Sequence, residues 1–265
     1  MTLPPLLFAL AMWFAGTAAV VWLCSRPRAG FARSLALAGS VALGATTVVA
    51  ITAGDAGAGG AYAAFAGTII IWGWHEMSFL MGHVAGPNRA DCPPGAIGWA
   101  RFRAATATVV YHELAIAATL IALIALTWGQ PNQIAPLTFA LLFAMRLSAK
   151  FNLYLGVPNL SDEVFPAHLA YLKSYFRTAP MNGLFPLSIL GGTAAAVLAW
   201  RAAEAASPES GMAVGMSLLA GLAVLGVTEH LFLVLPLRDG RLFAWALHGN
   251  KAVRTAGIEF DGRRR

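Results

Sequence analysis

Apolar runs of about 20 residues recur along this 265-residue chain, and a run of that length is what the hydrocarbon core of a bilayer requires of a helix. Hydrophobic residues make up 58% of the sequence and charged residues 11%, so the runs belong to an integral membrane protein. Inside such a bilayer only helices or closed barrels satisfy the backbone, and runs this long predict helices. The expected fold is all-α, a polytopic transmembrane bundle of about seven spans over residues 1–235. The spans fall at about 3–23, 35–53, 61–84, 104–128, 136–155, 184–200 and 212–235. Residues 156–183 form the longest connection, with Asp162 and Glu163 at the start of an expected interfacial helix, and 236–265 form a basic tail.

Lys and Arg orient the bundle. The loops after spans one, three and five and the tail carry nearly all of them, whereas the loops after spans two and four carry none and that after span six carries Arg201. Cytoplasmic loops are the ones enriched in these residues, so the N-terminus is expected in the periplasm and the C-terminus in the cytoplasm of a bacterial inner membrane. The formal net charge of +6 is read as this topology signal rather than as a nucleic-acid footprint. Cys24 and Cys92 have no CxxC spacing and suggest neither a disulfide framework nor a zinc site. No positive region precedes the first span, so a cleaved signal peptide is not expected.

Against this background three His/Glu pairs stand out: His75 and Glu76, His112 and Glu113, and Glu229 and His230. Ionisable groups inside spans cost roughly 2.5 to 3.5 kcal/mol each on insertion scales and usually face a bundle interior. At about 1.5 Å of rise per residue, His75, His112, Glu113 and Arg146 lie roughly 12 to 14 Å from the cytoplasmic ends of their spans, and Glu229 and His230 roughly 8 to 10 Å. They share one layer, with His83, Lys150, Asn152, Asp162, Glu163 and His168 around its mouth.

Three readings fit that layer. The six residues could ligate a metal such as iron or zinc, although adjacent residues on a helix point about 100° apart, so each pair would offer one ligand. His75, His112 or His230 could instead ligate a haem or a chlorin, with Trp72, Trp74, Phe79 and Trp99 lining the ring. Alternatively the carboxylates neutralise Arg146, Lys150 and the histidines and lock helices together. No second His completes an HExxH motif after His75 and Glu76, and neither a nucleotide loop nor a nucleophile elbow occurs.

The runs WHEMSFLMGHVAGPNRADCPPG, YHELAI, FAMRLSAKFNLYLGVPNLSDEVFPAHLAYLKSYF and MNGLFPLSI resemble the photosynthetic complex assembly proteins called PuhE. The resemblance covers roughly Trp72 to Ile189. It implies a multi-pass inner-membrane protein of phototrophic proteobacteria, an accessory factor in building the reaction centre and light-harvesting ring. Reaction-centre or light-harvesting subunits, or other assembly factors, would then be its partners beside membrane lipid, and bacteriochlorophyll the pigment it would hold. The alternative from another class is a membrane metalloenzyme, an oxidoreductase of pigment or quinone metabolism using the same His/Glu layer.

Overall fold

The computed structural model describes residues 3–160 and 166–235. Asp162, Glu163 and the basic tail, with His248, lie outside the described residues. Eight α-helices are the main elements of the described residues: α1 (Leu3–Cys24), α2 (Phe31–Thr52), α3 (Ala58–Leu80), α4 (Gly98–Thr106), α5 (Val110–Leu126), α6 (Ile134–Leu155), α7 (Leu184–Ala205) and α8 (Gly211–Phe232). In place of the expected interfacial helix, Ala167–Tyr175 winds as a 3-10 segment.

Local chemistry sets the ends of these helices. The Ser210 hydroxyl accepts from the Ala213 backbone N–H at 3.1 Å and starts α8. The Asn182 side chain does the same for α7, accepting from Leu184 and Phe185 at 2.9 and 3.1 Å. Gly156, at φ +126°, ends α6 in a conformation closed to most L-residues. α3 stops at Leu80 rather than near Val84, because Gly82 at φ +78° turns the chain. α7 runs on to Ala205, taking Arg201 and Glu204 into the helix.

α1, the stretch Arg28–Thr52, α6, α7 and α8 are each long and apolar enough to cross a membrane, and α4 with α5 forms a sixth candidate bent by 63°. The expected fourth span is therefore a broken helix, with the break at residues 107–109. The freed backbone is used: Asn88 donates its N–H to the Ala107 carbonyl at 3.0 Å and its side-chain amide to that of Ala104 at 3.1 Å. Irregular backbone at membrane depth is tolerated where protein covers it in this way.

The 23-residue α3 runs unbroken through Gly73, Trp74, His75 and Glu76, and it packs against α1, α2, α5, α6 and α8. The main core gathers Phe65, Ile116, Phe139 and Leu218 from four of these helices. Gly211 and Gly215 let α8 approach closely, since a Cβ on Gly211 would lie 2.4 Å from the Ala56 carbonyl and one on Gly215 2.2 Å from Ile134. At that end of the bundle Gly211 donates to Ala56 and Asn132 to Ala53, at 2.9 and 3.0 Å. The Arg-bearing loops gather at the other end, where Arg177 donates to Leu153 and Cys92 to Ser174.

Candidate functional site

Two ion pairs fix α3, α5 and α6 to one another. Arg146 on α6 donates to Glu76 on α3 at 3.0 Å, and Lys150, one turn further along α6, pairs with Glu113 on α5. The spacing of four residues puts both cations on one face of α6. Lys150 also lies 5.5 Å from the centre of the Phe79 ring. His75 is buried beside this layer and shares a 2.9 Å hydrogen bond between Nε2 and the Thr119 hydroxyl of α5.

His112 occupies the interior of the same layer and is completely enclosed. It stands in the first turn of α5, just past the break, and its backbone N–H reaches across to the Ala85 carbonyl at 3.0 Å. Its ring packs 4.7 Å from that of Phe79, tilted by 31°. Among the described residues neither ring nitrogen has a protein partner, and the same holds for Glu76 Oε1, Glu113 Oε2 and Arg146 Nε. An unsatisfied buried polar atom typically costs about 1–3 kcal/mol, so hydrogen-bonding capacity is concentrated where it is most expensive. An imidazole so placed can donate to or accept from a small polar group.

The third pair does not join the layer. Glu229 accepts from the Trp13 indole of α1 at 2.8 Å, whereas His230 points the other way, sharing Nε2 with the Ser148 hydroxyl of α6 at 3.0 Å and Nδ1 with the Gly226 carbonyl at 2.9 Å. From Ser148 a hydrogen-bonded chain that sequence reasoning missed continues through Ser188 to Asn152 and Asn182, over 2.8, 2.9 and 3.1 Å. It joins α6, α7 and α8, and Asn152 within it is fully buried. Ser and Asn at helical spacing were its only trace in the sequence, and such residues are common in membrane helices.

The expected common compartment is thus divided. His75, Glu76, His112 and Glu113 gather with Arg146 and Lys150 between α3, α5 and α6; Glu229 faces α1, and His230 faces α6. Among the described residues no three His, Cys, Asp or Glu side chains come close enough together to hold one metal ion. A pigment ligand must offer a free ring nitrogen to a space the size of a macrocycle. His75 and His230 commit ring nitrogens to protein groups, and His112 is sealed against Phe79. As arranged, these residues do not fit a haem or a chlorin. Of the expected mouth residues, Lys150 and Asn152 lie within the two networks, and His83 and His168 border cavities at the basic end.

The chain is 40% identical over 245 residues to a protein of Rhodobacter capsulatus described as an uncharacterized 30.4 kDa protein in the puhA 5′ region, a match spanning 91% of this chain and 89% of that one. No solved structure matches. A family described as protein of unknown function (DUF3623) matches residues 1–254. With nearly the whole sequence covered, the chain belongs to the DUF3623 family.

Proposed function

We propose that this protein is an integral-membrane accessory factor in building the photosynthetic reaction centre and its light-harvesting ring. One observation carries the reading: the Rhodobacter capsulatus relative, matched over nearly all of both chains, is described by its place in the puhA 5′ region, a photosynthesis-gene setting. The arrangement of the bundle is compatible with a scaffold. Paired charges between α3, α5 and α6 and the polar chain between α6, α7 and α8 favour one fixed packing, because a misplaced partner would strand a buried charge. α7 presents Leu187, Leu190, Val197 and Leu198 outward, a face suited to lipid or to the apolar helices of nascent complex subunits.

In this reading the protein lies in the bacterial inner membrane with its Arg-rich end in the cytoplasm. It acts through contacts rather than through a histidine-ligated pigment or metal, since the imidazoles are already engaged or enclosed. The test is deletion of the gene in a phototrophic host, with near-infrared absorbance of isolated membranes as readout. A fall in reaction-centre and light-harvesting bands, restored by the gene in trans, is expected. Unchanged bands would remove the proposal.

A further inference from the structure

At the basic end, two adjoining cavities of about 70 and 270 Å³ share Arg28 and Gly82 on their walls. The first is also lined by Arg89, His168 and Tyr171, the second by Phe31, Met81 and His83. The site is assembled around the C-terminus of α3. His168 donates from Nε2 to the Leu80 carbonyl at 2.9 Å, and Arg89 donates from Nη2 to that of Gly82 at 3.1 Å. Gly82 permits this approach: besides its positive φ, a Cβ there would lie 3.0 Å from the His168 ring.

Among the described residues the cluster's positive charge has no ion-paired carboxylate. No carboxylate among the described residues lines either cavity or pairs with Arg28 or Arg89. Burial, and then Arg28, Arg89 and His83, hold the His168 imidazole below its usual value, partly opposed by its bond to Leu80; these groups therefore converge electrostatically. The buried Tyr171 hydroxyl on the same wall has no hydrogen-bond partner among the described residues, so a donor is available too. The larger cavity runs onto Phe31 and Met81, which pack against Leu23 and Leu35 of α1 and α2.

We propose that these cavities bind the phosphodiester headgroup of an anionic membrane lipid, with Arg28, Arg89, His83 and the Tyr171 hydroxyl around the phosphate. Basic pockets between helices on the cytoplasmic side are suited to such headgroups. The cavities lie beside the start of α2 and the end of α3 at the Arg-rich end of the bundle, where lipid headgroups gather, which favours a lipid over a free phosphate ion.

Native mass spectrometry of the full-length protein released from mixed phosphatidylglycerol and phosphatidylcholine nanodiscs provides the test. Phosphatidylglycerol should be retained in preference, with retention falling about fivefold for Arg28→Gln and again for Arg89→Gln. Arg103→Gln, exposed on α4 and outside both cavities, should leave it unchanged. Because Arg89 also bonds the Gly82 carbonyl in the turn after α3, its variant is judged alongside its melting temperature, and Arg28, which makes no such bond among the described residues, decides the matter. Equal retention of the two lipids, or full retention by the Arg28 variant, overturns the proposal. Displacement of phosphatidylglycerol by millimolar inorganic phosphate, with phosphate binding equally well in pure phosphatidylcholine, would overturn it in favour of a free anion.

Discussion

Glu113 of α5 and Lys150 of α6 form an ion pair in which both side chains are about four-fifths covered by the bundle. In so little water, a charge left without its partner costs more than the pair contributes. Glu113→Leu alone should therefore destabilise the protein by about 3 kcal/mol, while Glu113→Leu combined with Lys150→Met should recover most of the loss. Thermal unfolding in detergent would show this, and a double variant no more stable than the single one would contradict the pairing.

Asn152 connects the polar chain between α6 and α7, with its amide on Ser188 and on the Ser148 carbonyl at 2.9 and 3.0 Å and its own oxygen accepting from Asn182. Asn152→Ala leaves buried donors and acceptors without partners and should cost about 1–3 kcal/mol. Ser25→Ala, a change at the exposed end of α1, should cost much less. Comparable melting temperatures for the two variants would argue against the chain.

Two glycines predict opposite outcomes. A Cβ on Gly86 would stand 2.1 Å from the Ala107 carbonyl, at the break between α4 and α5, whereas one on Gly44 in α2 meets nothing within 4 Å. Gly86→Ala should thus reduce the yield of folded protein sharply. Gly44→Ala should be neutral or stabilising by up to about 1 kcal/mol, since alanine is the better helix former. Tolerance at Gly86 would show that the loop does not seat in the break.

His168 gives the basic end a pH dependence. Burial, followed by the field of Arg28, Arg89 and His83, lowers its pKa from the usual 6.5, so the folded state favours the neutral ring. That contribution is complete above 6.5 and is lost as pH falls through the lower folded value. In zwitterionic detergent, hydrogen exchange in Ala167–Tyr175 should quicken as the solution is acidified below pH 6.5, and His168→Gln should remove the response. Exchange independent of pH after correction for intrinsic rates would contradict this.

Hydropathy made the long helices legible, and Lys/Arg placement separated the two ends of the bundle. The break at residues 107–109 was hidden because no Pro or Gly marks it; Asn88 and the close approach of Gly86, distant in sequence, stabilise it. For the site, counting rise along helices gave the heights of His75, Glu76, His112 and Glu113 but not their azimuths. That limitation decides the third pair: adjacent on α8, Glu229 and His230 diverge to Trp13 and Ser148. Pairing of Glu76 and Glu113 with Arg146 and Lys150 is one of the three readings the sequence leaves open, since charges at that depth need partners. The Ser148–Ser188–Asn152–Asn182 chain is not among them, because uncharged polar residues carry no comparable insertion penalty to draw notice.

An accessory role in complex building is tested most directly by the time course of pigment–protein formation in a deletion strain shifted to phototrophic conditions. The account predicts that extractable bacteriochlorophyll accumulates while the reaction-centre and light-harvesting bands of the membranes lag and stay below wild type, with the complementing gene restoring both rate and extent. Bands that rise at the wild-type rate to the wild-type level would contradict it, and loss of the pigment itself ahead of the bands would point to pigment metabolism instead.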